Sequence, residues 1–187
     1  QSIPAAYLSD QSLTLMVENL SRLGIETAFL TGDRDWLFDG LDELYAQLEA
    51  LDAYNNGIGA AHPIKTIALD VEGYTTSQWK EDPETWFLTY LDLMKEVREY
   101  AHQKDLTVVQ VIPDELDAID QEIFERFIRE CCDEVSVMNY ERDAELFNIW
   151  NEVAVCRKYR IPVETIFETM PLNDYYSVDA AKTYFYD

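Results

Sequence analysis

Ile64-Lys65-Thr66-Ile67-Ala68-Leu69-Asp70-Val71-Glu72-Gly73-Tyr74 is a β-branched, nearly all-apolar run that ends in two acids, a glycine and a tyrosine. Only Lys65 and Thr66 interrupt its apolar part, the composition of a strand covered on both faces. Strands of that kind belong to parallel sheets flanked by helices, so the chain on either side should alternate helix and strand. On the N-terminal side, Leu41, Leu44, Tyr45, Leu48 and Leu51 recur at helical spacing and dissolve in Asn55-Asn56-Gly57-Ile58-Gly59. Before them Ile25 to Leu30 reads as a strand ending in Thr31-Gly32-Asp33-Arg34-Asp35-Trp36. Earlier still, Leu13, Met16, Val17, Leu20 and Leu23 mark a helix capped by Ser9 or Asp10 and stopped by Gly24, after a short apolar run from Ile3 to Leu8.

On the C-terminal side, Asp82-Pro83-Glu84 reads as a cap with proline at the first helical position. It opens a long helix through Phe87, Tyr90, Leu91, Met94, Val97 and Ala101. Leu106 to Ile112 is a strand halted by Pro113. Ile123, Phe124, Phe127, Ile128 and Cys131 share one face of the helix that follows. Glu134 to Tyr140 is the next strand, Leu146, Ile149, Trp150 and Val153 mark a further helix, and Val163 to Phe167 is the last strand. Trp86 and Trp150 fall within helical periodicities and are expected to pack.

Six strands alternating with five helices predict an α/β fold with a parallel sheet. Neither a G-x-G-x-x-G run nor a Walker-type glycine loop is present, which turns the expectation away from a nucleotide-binding doubly wound sheet and toward a (β/α)8 TIM-type barrel. Such barrels take about 200 to 250 residues. With 187 residues the barrel would be incomplete, either lacking its first strand, closed by Tyr184-Phe185-Tyr186, or left open. Residues 1–187 are expected to form a single barrel domain.

Composition narrows the partners. Lys and Arg number 14 against 37 Asp and Glu, a formal charge of -23 that repels nucleic acid and anionic lipid headgroups. No nucleic acid is expected as partner. Without a stretch of about 18 apolar residues or a charged-then-apolar leader, neither membrane insertion nor a retained signal peptide is expected, although a leader could have been removed. Cys131, Cys132 and Cys156 lack metal-ligand spacing and read as buried thiols. His62 and His102 read as surface residues, which leaves little material for a histidine triad, and neither a cofactor nor a metal is expected.

In a parallel barrel the carboxyl ends of the strands meet at one face. That face would gather Asp33, Asp35, Asp70, Glu72, Asp114, Tyr140, Arg142, Asp143 and Glu168, with Trp36, Tyr74 and Trp79 in the connecting loops. Asp70 and Glu72, two apart in extended chain, point to one side of the sheet. Two acids crowded in a partly desolvated pocket raise the proton affinity of one of them. Glu72 is expected as general acid/base and Asp70 as the group that tunes it, the alternative being that the pair binds backbone amides and the hydroxyls of Thr75, Thr76 and Ser77. Glu168 could face Glu72 as a second catalytic carboxylate, Tyr140 could donate a hydrogen bond to a developing oxyanion, and the aromatic residues could stack on sugar rings.

The order of these motifs resembles uncharacterised bacterial barrel proteins related to glycoside hydrolases. Leu69-Asp70-Val71-Glu72-Gly73-Tyr74 with Trp79 is similar to their LDVEPY strand, Val137-Met138-Asn139-Tyr140 to their VMxY strand, Gly32-Asp33 with Trp36 to their GDxxW segment, and Glu168-Thr169 to their ET strand end. More remotely the chain resembles chitinase-like family 18 enzymes. That resemblance implies Glu72 as proton donor, Asp70 as the acid beside it and Tyr140 as the tyrosine that steadies the intermediate. The leading expectation is a carbohydrate-active barrel, secreted or at the cell surface with a cytoplasmic location as the alternative, in which Glu168 also assists and Asp33, Trp36, Tyr74, Trp79 and Arg142 contact substrate. The chain departs from the family 18 pattern at Lys65 and Ala68, where further acids would stand, and Gly73 replaces the proline of the nearer relatives. Two alternatives stand beside this expectation: a non-catalytic glycan- or protein-binding barrel, and a divalent-metal hydrolase using Asp33, Asp70, Glu72 and Glu168.

Overall fold

The computed structural model of the chain describes residues 8–140 and 144–167. Five strands, β1 (Ala28–Thr31), β2 (Thr66–Leu69), β3 (Thr107–Pro113), β4 (Glu134–Met138) and β5 (Val163–Ile166), form one sheet in the order β1-β2-β3-β4-β5. All four pairings are parallel. Between the strands run α2 (Trp36–Asp39) and α3 (Asp42–Asn56), α4 (Ser77–Glu81) and α5 (Pro83–Gln103), α6 (Gln121–Cys131), and α7 (Glu145–Asn148) with α8 (Trp150–Tyr159); α1 (Gln11–Arg22) precedes β1.

The barrel expectation is overturned. Among the described residues the sheet has five strands, and β1 and β5 are its two edges rather than neighbours. Of the six strands read from sequence, five are present, and the run Ile3–Leu8 lies outside the described residues except for Leu8, which begins a 3-10 turn. Alternating βα patterning dictates parallel neighbours and crossover connections, but an open sheet satisfies it as well as a closed one. Closure depends on the pairing of first and last strands, which periodicity does not encode.

Register shows which face the helices cover. Phe29, Ile67 and Val108 align across β1, β2 and β3, as do Leu69, Gln110 and Val135 across β2, β3 and β4, and all six are buried. Polar residues on this face are tied to helices. The Thr31 hydroxyl donates to Gln47 Oε1 of α3 at 2.5 Å, and the Tyr90 hydroxyl of α5 donates to Gln110 Oε1 at 3.3 Å. Gln110 in turn donates to the Cys131 carbonyl of α6 at 3.4 Å. The opposite face carries Leu30, Ala68, Val109, Val111, Ser136 and Met138. Sequential order with crossovers of one hand puts successive helices on a single face, which is why the two faces differ.

Local signals hold where chemistry is explicit. Asp10 caps α1 through the Ser12 N–H, and Asp82 caps α5 through the Thr85 N–H with Pro83 in the first turn. Cys131, Cys132 and Cys156 are buried free thiols. Trp86 packs edge-on against Phe38, with ring centroids 4.6 Å apart. Trp150 does not pack as expected and is 72% exposed, beside Leu146 at 79% and Phe147 at 83%. The buried face of the α7–α8 segment runs instead through Ile149, Glu152, Val155 and Cys156. Val155 and Cys156 enter the core together, and that turns the helix away from the face marked by Trp150 and Val153.

Candidate functional site

The ends of β1 and β2 press together unusually closely. The Asp70 N–H donates to the Thr31 carbonyl at 2.9 Å, and a Cβ at position 32 would stand 1.8 Å from the Asp70 carbonyl oxygen. Glycine at position 32 is therefore a steric requirement. The chain then turns through Asp33-Arg34-Asp35, where Asp33 Oδ1 accepts from the Asp35 N–H at 2.8 Å. On β2, alternation carries Asp70 onto the face of Ala68, away from the helices, while Val71 is buried. Extended backbone ends at Glu72, with φ -84° and ψ 41°, and a 3-10 turn follows over Gly73–Thr75.

These turns form an open cleft of about 410 Å³ lined by Gly32, Asp33, Arg34, Asp35, Asp70 and Glu72. Both acids of the central pair face it. The Thr75 and Thr76 hydroxyls donate to the backbone carbonyls of Glu72 and Gly73, at 2.8 and 2.7 Å, so they are spent on the turn and not on the carboxylates. Tyr74 is the residue that engages the pair, its hydroxyl donating to Glu72 Oε1 at 3.2 Å.

Electrostatics separate the two acids. Burial, and then the charge of Glu72, push the Asp70 carboxyl above its ordinary value, and Asp70 Oδ1 is enclosed without a protein hydrogen-bond partner. A proton on Asp70 removes the penalty of an enclosed charge. Tyr74 is pushed far above the usual phenol range by burial, by Glu72 and Asp70, and by Tyr140, which keeps it a hydrogen-bond donor. Asp70, which the sequence expectation gave the tuning part beside Glu72, is thus the acid on which burial and a neighbouring charge both act.

The remaining candidates divide. Tyr140 follows β4 and is 42% exposed, near enough to Tyr74 to act on its hydroxyl. Asp33 lines the cleft. Trp36 is buried, and its indole N–H donates to Glu43 at 3.3 Å, so it braces α2 against α3. Trp79 is buried among Tyr74, Phe87 and Tyr90, with centroids 6.1 to 6.5 Å away. Tyr74 and Trp79 also border a second cavity of about 360 Å³ with Pro83, Pro113, Leu116 and Ile119. Arg142 and Glu168 lie outside the described residues. Among the described residues no three Asp, Glu, His or Cys side chains are arranged to hold a metal ion, and no helix is long and apolar enough to cross a membrane.

Glu152 escaped the sequence reading. It is fully buried on the first turn of α8 and its carboxyl is pushed up to about 7. The signal was present: three residues after Ile149 and four before Cys156, a glutamate occupies an inward position of the helix. His62 and His102 are engaged structurally, His62 Nδ1 lying 3.0 Å from Ser21 Oγ and His102 Nε2 lying 2.7 Å from Asp133 Oδ2.

No protein-family model matches the chain, and no curated protein or solved structure matches it either.

Proposed function

We propose that the strand-end cleft is an acid–base site for cleaving a glycosidic bond, with Asp70 and Glu72 working as a pair that holds one proton. The observation that carries this reading is the pair itself: two carboxyls lining one open cleft, one of them driven toward its protonated form by burial and by its neighbour's charge. A general acid must hold its proton at working pH and be able to release it, and a close charged partner is how a carboxyl meets both needs. The pair delivers its proton to the departing glycosidic oxygen as the C–O bond breaks. Left more negative, it then accepts a proton from the water that completes hydrolysis. Tyr74 fixes Glu72 through its hydrogen bond.

Carbohydrate as the substrate class is supported by the likeness of the Leu69–Tyr74 and Val137–Tyr140 segments to glycoside hydrolase-related strands. It also suits the charge, since a neutral polyol approaches a chain of net charge -23 without repulsion. The test is a panel of aryl glycosides and oligosaccharides. On any substrate that is turned over, Asp70→Asn and Glu72→Gln should each lower kcat by roughly a hundredfold or more while leaving the far-ultraviolet circular dichroism spectrum unchanged. Undiminished turnover in both variants would sink the assignment. A second reading, glycan capture without turnover, draws on the cavity bordered by Tyr74 and Trp79, which needs neither carboxylate. Oligosaccharide binding that survives Asp70→Asn and is lost in Tyr74→Ala would favour it.

A further inference from the structure

Away from the cleft, one buried acid has no role in the chemistry above. Glu152 is 0% exposed, and no other residue donates a hydrogen bond to either of its carboxylate oxygens. Its closest charged company is acidic: Asp117, in the 3-10 turn Leu116–Ala118, and Asp114, just after β3. Asp117 also accepts a hydrogen bond from Asn151 Nδ2 at 2.7 Å, and Asn151 is the residue immediately before Glu152. The same Asn151 amide donates to Gln121 Oε1 of α6 at 2.7 Å. Two consecutive residues of the first turn of α8 thus meet the β3–α6 loop, one as an amide donor and the other as an acid facing an acid.

A fully buried carboxylate beside a half-buried one is repelled while both are charged, but a single proton between them turns repulsion into a hydrogen bond. We propose that Glu152 and Asp117 form a proton-dependent clasp, which holds the β3–α6 loop on α8 while the proton is shared and loosens α7–α8 from the sheet once it is lost. The other groups bearing on Glu152 do not oppose this. Its own backbone N–H in the first turn favours the anion, but burial, Asp117 and Asp114 outweigh it and push the carboxyl up to about 7. Cys156, one turn further along α8, stays a thiol, with burial pushing it up to about 11. From α6, Glu125 is occupied by Lys158 and Tyr159 at the far end of the helix, at 2.6 and 2.9 Å.

What the clasp controls follows from the segment it holds. α7–α8 carries the exposed Leu146, Phe147 and Trp150, and Asn148 of α7 donates to Asn139 Oδ1 at 3.3 Å, next to Tyr140 at the end of β4. Opening the clasp would free the anchor of the strand end that presents Tyr140. A change of proton occupancy at one buried site is thereby converted into movement at the strand-end face.

Amide hydrogen exchange on the intact chain tests the proposal, with peptides from α8 and α3 compared at pH 5.5 and 8.5 after correction for the intrinsic pH dependence of exchange. The protection of α8 should fall more than tenfold between the two conditions while that of α3 holds. Glu152→Gln, neutral at every pH and nearly the same shape, should keep α8 protected at pH 8.5. Asp117→Asn should retain the acceptor for Asn151 but remove a negative neighbour, moving the midpoint of the α8 transition to lower pH. A purely packing role for Glu152 predicts no such movement. Equal losses in α8 and α3, no loss in α8, or a Glu152→Gln protein that opens like the parent would each overturn the clasp.

Discussion

Asp133 offers the most direct measurement of how this fold is held together. It lies between α6 and β4, and its carboxylate receives four contacts from two other elements. Arg98 of α5 donates from Nε and Nη2 to Oδ1 at 2.9 and 2.6 Å; the Val108 N–H of β3 donates to Oδ2 at 2.8 Å, and His102 of α5 lies 2.7 Å from the same oxygen. The side chains of Asp133 and Arg98 are only 19% and 26% exposed, so this is not a solvent-screened surface pair. In Asp133→Ala the enclosed Val108 N–H loses its acceptor, a loss of about 1 to 3 kcal/mol, and a largely covered guanidinium loses the one oxygen that accepts two of its N–H groups. Breaking a fully buried pair costs about 3 to 5 kcal/mol, and partial rehydration of Arg98 reduces that here, so the expected total is about 3 kcal/mol. Asp133→Asn keeps an acceptor for Val108 and should lose about half as much. Urea denaturation at pH 7 followed by circular dichroism measures both. A loss below about 1 kcal/mol for the alanine variant would refute the picture of a single carboxylate joining α5, β3 and β4.

The pH dependence of the same residue has a definite sign. Burial, the largest single influence, acts to raise the Asp133 carboxyl, but hydrogen bonds from His102, the Val108 N–H and Arg98 together hold it below its ordinary value of 3.8. Its stabilising contribution is therefore complete above about pH 4 and lost as pH falls through the lowered value. Below pH 4 the stability of Asp133→Asn should fall less steeply than that of the parent.

Gly32→Ala should lower stability by about 3 kcal/mol or prevent folding, because its Cβ meets backbone, not a yielding side chain; a thermal midpoint within a few degrees of the parent would contradict the close approach of β1 and β2. Thr31→Val leaves Gln47 short of a buried partner and should cost about 1 to 2 kcal/mol by urea denaturation, with no change expected in the cleft. For any glycoside turned over, the alkaline limb of the pH–rate profile should follow loss of the Asp70 proton. Glu72→Gln, which removes the charge that raises Asp70, should move that limb to lower pH in whatever activity remains. The three cysteines, all enclosed, should react with a bulky thiol reagent only at the rate of unfolding, and prompt labelling of the native chain would contradict their burial.

Much of the fold was legible because several signals agreed over short distances. Leu106–Ile112 and Val163–Phe167 lie within a residue of β3 and β5, since β-branched runs bounded by turns have few other readings. Asp82-Pro83 marked the start of α5 because a cap and a pre-set φ act locally. The site pair was legible for a similar reason, as placement at a strand end needs only the strand to be right. What could not be read depends on distant partners. Whether β1 meets β5 is a property of the whole sheet, and the buried face of α8 was decided by what Val155 and Cys156 touch. The latter hid Glu152, and the division of labour between Asp70 and Glu72 waited on burial, which no spacing of residues reports.

The two edges of the sheet bear on how the chain behaves in company. Among the described residues each of β1 and β5 ends the ladder with backbone groups that another strand could extend, a route to indefinite head-to-tail stacking of copies. Both edges span only four residues, and β5 carries the exposed Glu164. Added to these is mutual repulsion between copies that each bear 23 net negative charges. That repulsion reaches about 10 Å at 0.1 M salt and about 3 Å at 1 M. The colloidal behaviour of the chain thus depends on ionic strength: dilute buffer keeps copies apart, and in concentrated salt, among the described residues, the shortness of the edges and the carboxylate of Glu164 oppose strand-by-strand growth.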